Sequence, residues 1–362
     1  MSTDSEAKNR AVIYANPPEI TTRVEELPIP KPGSGEVLVR LFYSGVCHTD
    51  YGICTNGFST LPLPTPQGKT VPVLLTRASV GKVVALGDGV SFPQIGTMVG
   101  IKWAASACLS CDNCLEGGET TCITGTVSGY LTPGTFQQYC LSQASNVTLI
   151  PDGIDLAGAA PLMCGGVSVY SALKRAHVRH GQWVLISGAG GGLGHLAIQY
   201  AKAMGARIIS LDVAAKERLC LELGSDIFID FAGFATDGAL AKEIHKLTGG
   251  GAKVVLVCSS SHRAYAQALS FLGFRGILAC LGVPEGDSSP IAGANVPDMI
   301  TNELTIFASK SGNRLEAKEC LDIAAVGKIK THYELQPMDN LTEVFKDMKS
   351  GKINGRIVLD LR

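Results

Sequence analysis

Four cysteines, Cys108, Cys111, Cys114 and Cys122, stand at C-x2-C-x2-C-x7-C spacing in a stretch rich in Gly, Ser and Asp. Four thiolates closing on one point make a tetrahedral cage with no vacant position, the donor set of a structural zinc ion. Such a cage cannot act as a Lewis acid, so its expected work is to staple a lobe that lacks its own core. Iron–sulfur clusters also take four cysteines, but tight loop spacing without a redox partner favours zinc. One structural Zn2+ per chain is therefore expected.

A second constellation is built from glycine. The run SGAGGGLGHLAIQYAKAMG places Gly188, Gly190, Gly191, Gly192 and Gly194, with Leu193 before the last, between an expected strand and an expected helix. Glycines there let the backbone turn tightly and approach a pyrophosphate, whose charge the helix N-terminus stabilises. The next expected strand ends in Asp212, 18 residues after Gly194 and 24 after Gly188. An acid at that point accepts hydrogen bonds from an adenosine ribose and repels a 2′-phosphate, which favours NAD(H) over NADP(H). The plain alternative is a glycine-rich turn beside a surface Asp. The order strand, loop, helix, strand, acid argues against it.

Two textures of chain must position these residues. From about 10 to 150, short β-type runs broken by Gly and Pro (EVLVRLFYSG, SVGKVVALG, TMVGIKW) suggest a β-rich domain. From about 165, strands alternate with helical patterns: WVLIS, RIISLD, FIDF, KVVLVC, GILACLG and LTIFAS. That alternation predicts an α/β domain with a parallel, doubly wound sheet. The last fifty residues return to a helix and a terminal strand, RIVLDL. A length of 362 residues suits two domains.

Composition narrows the function classes. Hydrophobic residues at 46% and charged ones at 17% exclude intrinsic disorder. With 31 Lys+Arg against 32 Asp+Glu and no basic block, neither nucleic acid nor a membrane is the expected partner. The N-terminal MSTDSEAKNRAVIY lacks the apolar core of a signal peptide, and no run approaches the ~18 apolar residues of a membrane span. NGRIVLDLR carries no lipidation or retention signal. A cytoplasmic chain with reduced thiols is expected, its 12 cysteines serving as metal ligands or small buried hydrophobes.

GVCHTD (45–50), the four-cysteine lobe, LMCGG (162–166), the glycine loop and NGR (354–356) occur in the order of one family. The chain resembles the zinc-containing medium-chain alcohol dehydrogenases, most closely the yeast and fungal type, over nearly its full length. GIKW (100–103), GTFQQY (134–139) and GLGHLAIQYAKAMG (192–205) are especially similar to that subgroup. The resemblance implies a GroES-like catalytic domain over 1–165, with its zinc lobe at about 104–125. A Rossmann domain over 166–309 would follow, and 310–362 would complete the catalytic domain. It further implies a small-molecule substrate and a homo-oligomer, tetramer or dimer. Position by position, Cys47 and Cys164 match two ligands of the family's catalytic zinc. His48, Lys216 (after a one-residue gap) and Arg356 match cofactor-contacting positions, as do Leu281, Val283 and Ser309.

The chain then departs from its family. The third catalytic ligand and its acidic neighbour come from a G-H-E-G segment, and here Thr76, Arg77, Ala78 and Ser79 occupy that place. Residues 51 to 87 contain no His, Asp or Glu. Catalytic zinc takes three protein ligands, and Arg cannot shed its proton to bind metal. No catalytic zinc is therefore expected. The family's proton relay runs through the residue two after the catalytic cysteine and a histidine five after it; Thr49 fills the first place and Gly52 the second.

Without the metal, Arg77 could act as electrophile, holding a substrate carbonyl or carboxylate through paired N–H donors. Hydride would then reach an activated C=C, C=N or carbonyl carbon, with Thr49 or Tyr51 supplying the proton. Alternatively Arg77 pairs with Asp50 as a structural ion pair. Ala78 in place of Glu widens the pocket for a bulky substrate. Trp103 and Phe58 either line it or belong to the core. Four readings stand: a zinc-independent NAD(H) reductase, a non-redox isomerase or cyclase, an ordinary zinc alcohol dehydrogenase with an unrecognised third ligand, and a catalytically silent paralogue.

Overall fold

The computed structural model describes residues 8–58, 78–286 and 289–362. Its chain divides into two compact units, one made of 1–164, 313–322 and 333–362 and the other of 165–312 and 323–332. Toward the C-terminus, 310–312 and 323–332 belong with the second unit and 313–322 and 333–362 with the first.

In the first unit β1 (Lys8–Tyr14) and β2 (Thr22–Pro28) form an antiparallel pair. Next come β3 (Glu36–Gly45), β4 (Ser79–Leu86), β5 (Met98–Ile101), β6 (Tyr139–Gln143) and β7 (Thr148–Leu149). Along β4, Val83 is buried in a core while Lys82, next to it and on the opposite face, is exposed. That core gathers Val37, Val39, Leu41, Val83, Val99 and Phe136 with Leu341, Val344 and Phe345 from near the C-terminus.

The second unit holds β8 (Trp183–Ser187), β9 (Arg207–Asp212), β10 (Ile227–Asp230), β11 (Ala252–Val257), β12 (Leu272–Cys280) and β13 (Thr305–Ala308). These pair in the order β10-β9-β8-β11-β12-β13, every neighbour parallel. Strand order reverses between β8 and β11, the switch point of a doubly wound dinucleotide-type sheet. All of Trp183–Ser187 is buried, as a strand covered on both faces must be. The chain ends in β14 (Tyr333–Pro337) and β15 (Arg356–Asp360), which join the first unit's sheet as β14-β15-β3-β4-β5-β7, with β6 also on β3.

The helical run Leu156–Arg175 is long and apolar enough to cross a membrane by length and composition, and 89% of its most apolar window is buried inside the protein. Gly, Ser and Pro interrupt its letters, but few charges do, and it occupies the place of a core helix.

Candidate active site and thiolate lobe

Cys47 is the N-cap of the short helix His48–Cys54, at the end of β3. Its backbone N–H donates to Asp50 Oδ2 at 2.7 Å, and the Tyr14 hydroxyl donates to the Asp50 carbonyl at 2.6 Å. Asp50 is only 1% exposed. The carboxylate therefore fixes the turn that presents Cys47, His48 and Thr49. Arg356, buried at the start of β15, donates to the Val46 carbonyl at 3.3 Å and braces the same turn from the other side.

Cys164 arrives from a different element. Pro161 ends one helix, and the next five residues, Leu162–Gly166, form a π-helical turn. Such turns re-aim a side chain that a regular helix would point elsewhere. A Cβ on Gly45 would come 3.2 Å from the Pro161 backbone, so glycine lets β3 approach this turn closely. The outcome is two half-buried thiols whose sulfurs lie 4.0 Å apart, with Thr49 Oγ1 3.8 Å from the Cys47 sulfur.

The remaining candidates on this side divide. Tyr51 sits in the core cluster, 6.2 Å edge-on from the Phe345 ring and 5.5 Å from the His48 ring. Ala78 is buried, its carbonyl accepting from Gly45 N at 2.7 Å. Trp103 and Phe58 are buried as well. A Cβ on Gly52 would stand 2.1 Å from the Phe58 ring. The aromatic ring therefore fills the place from which a relay side chain would project. Arg77 lies outside the described residues.

The four cysteines of the lobe come together: their sulfurs all lie within 4.8 Å of one another, a cluster that could hold a metal ion. Among the described residues this is the one group of three or more His, Cys, Asp or Glu whose ligand atoms converge. Backbone N–H groups already serve the sulfurs, Cys108 N to Cys122 Sγ at 3.2 Å and Cys111 N to Cys108 Sγ at 3.3 Å. Leu109 takes a left-handed backbone (φ 60°), a strained choice for a leucine that the tight knuckle imposes. Hydrogen bonds from Ser110 and Cys111 pull the Cys108 thiol down to about 5. Donation from the Cys108 N–H lowers Cys122, while burial pushes Cys114 up to about 12.

The lobe is anchored at both ends. Asn146 Nδ2 donates to the Ala104 carbonyl at 2.7 Å, and Ala105 N to Thr126 O at 2.9 Å closes the stem. Across the lobe, Glu119 takes Arg314 Nε at 2.8 Å and Arg314 N at 3.0 Å, while Asn313 donates to the Gly117 carbonyl. Lys102 lies beneath the stem, 3% exposed, its ammonium donating to Asn146 O at 2.8 Å and Thr148 Oγ1 at 3.0 Å. Burial lowers its pKa to about 8, Glu119 opposing that shift and Arg314 adding to it. Sequence reasoning missed Lys102, Glu119 and Arg314.

On the second unit the glycine loop follows β8 and opens the helix Gly194–Ala203. Gly188 has φ 74°, and a Cβ there would meet Ser259 at 3.1 Å. Ser259 follows β11, so these two loops flank the switch point. A Cβ on Gly194 would sit 2.2 Å from the Gly188 carbonyl, and one on Gly190 would strike the Lys216 stem at 2.6 Å. Asp212, at the end of β9, accepts from Gly190 N and Val213 N, both at 2.8 Å. Gly191, Gly192 and Leu193 complete the turn into the helix. Ser309 continues from β13 and donates its N–H to Cys280 O at 3.0 Å. The Ser259 and Ser309 hydroxyl oxygens are buried without a hydrogen-bond partner among the described residues. Leu281 and Gly282 follow β12, and Val283 beside them is 57% exposed. Shallow backbone, two unspent hydroxyls and an acid at the neighbouring strand end fit a dinucleotide. Ser259 had a positional signal, the carboxyl end of a strand beside the switch point.

Comparison with known proteins decides the family. Residues 33–152 match the alcohol dehydrogenase GroES-like domain and 192–325 match the zinc-binding dehydrogenase family. The chain is 48% identical to alcohol dehydrogenase 2 of Emericella nidulans over 362 residues, 98% of each chain. It belongs to the zinc-type medium-chain alcohol dehydrogenase family. Among solved relatives of this alcohol dehydrogenase family, an NAD-dependent alcohol dehydrogenase superposes with TM-score 0.85 at 26% identity, covering 98% of this chain and 100% of that one. The acetophenone reductase of Geotrichum candidum in complex with NAD superposes with TM-score 0.81 at 27% identity, over 99% and 98%. The β-rich first unit is thus the GroES-like part of an alcohol dehydrogenase fold, and the parallel sheet is its Rossmann part.

Proposed function

We propose that this chain is an NAD(H)-dependent oxidoreductase that works without a catalytic zinc, reducing an activated C=C, C=N or carbonyl group of a fairly bulky small molecule. One observation carries the reading. Cys47 and Cys164 keep their sulfurs 4.0 Å apart, yet no third His, Cys, Asp or Glu converges on them among the described residues. Segment 59–77, outside the described residues, contains none of these types. Two thiols alone do not fit the three-ligand set of a catalytic zinc. In contrast, the tetrad fits the closed set of a structural zinc.

Bound NADH supplies a hydride at its nicotinamide ring. Asp212 would hold the adenosine ribose, which favours NAD(H) over NADP(H), and Gly188, Gly191, Gly192, Leu193 and Gly194 would carry the pyrophosphate at the helix N-terminus. The Ser259 and Ser309 hydroxyls stand ready as donors from the switch-point loops. His48 lies on the turn that Asp50 fixes and Arg356 braces that turn; both match cofactor-contacting positions of the family. Arg77 would hold the substrate carbonyl or carboxylate by paired N–H groups, which stabilises the negative charge that develops there. Thr49 is the proton donor that the geometry favours, since its hydroxyl stands beside the Cys47 thiol while Tyr51 packs in the core. Phe58 against Gly52 leaves no room for a histidine relay. The complex of acetophenone reductase with NAD, a structural neighbour, supports an aryl-sized carbonyl substrate.

Zinc content per chain tests the reading, read together with NADH oxidation against enones, imines and aryl ketones. One zinc and NADH-linked turnover are expected. Two zincs would restore an ordinary alcohol dehydrogenase with another third ligand. Substrate rearranged without NADH consumption would point to an isomerase, and no turnover at all to a silent paralogue. Arg77→Ala is expected to lower kcat/KM by at least tenfold; unchanged turnover and affinity would reduce Arg77 to an ion-pair partner of Asp50.

A further inference from the structure

Resting on the proposal that no zinc bridges Cys47 and Cys164, we infer that these two thiols form a peroxide-responsive pair that closes to a disulfide and switches the site off. The two sulfurs lie 4.0 Å apart, and Cys258 and Cys280 share their half-buried state. Cys54, Cys140, Cys220 and Cys320 are buried, and burial pushes Cys54 and Cys220 up to about 11 and Cys140 up to about 12, which keeps them as inert thiols. Cys47 and Cys164 are only half-buried, so each keeps some exposed surface for a small oxidant to approach. They come from elements 117 residues apart in sequence, brought together by the Gly45–Pro161 approach and the π-helical turn.

Closing the bond requires the sulfurs to move from 4.0 Å to about 2 Å. Cys47 sits at a helix cap and Cys164 in a turn flanked by Gly165 and Gly166, and rotation about Cα–Cβ with a small shift of that turn supplies the distance. The chemistry balances with hydrogen peroxide as oxidant. One thiolate attacks the O–O bond, giving a sulfenic acid and hydroxide. The second thiol then attacks that sulfur, the S–S bond forms, and water leaves. In sum two thiols lose two electrons and two protons, and one peroxide becomes two waters. The cross-link pins the Cys47–Thr49 turn to the Leu162–Gly166 turn and takes up the space beside the Thr49 hydroxyl. The tetrad would respond differently with zinc bound, because the metal would engage the lone pairs of its four thiolates.

The test uses the purified full chain with its zinc content measured first. After brief hydrogen peroxide treatment, remaining thiols are alkylated and the digest is mapped by mass spectrometry. The expected result is one zinc per chain, a peptide pair joined through Cys47 and Cys164, and NADH-linked activity that falls at least tenfold and returns with dithiothreitol. Cys164→Ser should abolish both the cross-link and any recovery by reductant. One zinc per chain with Cys47 and Cys164 still reduced, or separately converted to sulfinic acids, overturns this inference alone. Two zincs per chain overturn the metal-free reading on which it rests.

Discussion

The first unit presents cysteine in two ways, and the surroundings of each decide what the sulfurs can do. In the tetrad, four thiols arise within fifteen residues of chain, backbone N–H groups point at them, and a leucine accepts a left-handed backbone to make the knuckle. In the pair, the thiols arise far apart in sequence and meet through packing, with Thr49 beside them and an aromatic ring closing the neighbouring position. A self-contained cluster keeps its function through changes elsewhere. A pair assembled by packing depends instead on the separate elements that carry it.

The largest effect should come from breaking the tetrad. Cys114 is the most buried of the four, and Cys114→Ser should release the metal and lower Tm by on the order of 10 °C, because metal binding energy is folding energy for a lobe without its own core. Cys164→Ser should leave zinc content at one and Tm within about 2 °C of the parent, since a Ser replacing a half-buried Cys changes little packing. Zinc analysis and calorimetry on both variants check the contrast. Loss of zinc from Cys164→Ser would break it.

The tetrad and the glycine loop were legible in the sequence because both are local: spacing alone brings their atoms together. The Rossmann strands were legible for a similar reason, each being an apolar run closed by Gly or a charged residue. What could not be read depends on long-range packing. The Glu119–Arg314 anchor joins residues 195 apart, and the Phe58 ring over Gly52 depends on how the chain turns after a seven-residue helix.

Lys102 offers a subtler probe of the lobe's stem. Its folded pKa of about 8 lies below the ordinary 10.5, because burial disfavours the ammonium. Between those values the unfolded chain holds more protons, so Lys102 makes stability rise with pH from about 8 to 10.5. The gap corresponds to about 3 kcal/mol, gained as pH rises through that window and absent below it. Lys102→Met removes this contribution to the slope at the cost of the hydrogen bonds to Asn146 and Thr148. Urea unfolding at pH 7.5 and pH 10 should show the parent gaining stability relative to the variant; parallel pH profiles would mean that the stem does not feel the charge.

The smallest effect tests the pair's side of the comparison. Gly52 has no room for a Cβ, since the atom would fall 2.1 Å from the Phe58 ring. Gly52→Ala therefore forces the ring to move or the helix His48–Cys54 to shift, at roughly 1–3 kcal/mol. The shift would reach Cys47 through the turn that Asp50 holds, so the variant should also change the rate at which peroxide joins Cys47 to Cys164, with the tetrad's zinc untouched. Restoring space with Phe58→Ala in the same chain should recover part of that rate while leaving a cavity that costs stability of its own. If the double variant shows the sum of the two single effects, Phe58 and Gly52 are not coupled, and the ring is ordinary core beside the site and does not wall off the position of the missing relay.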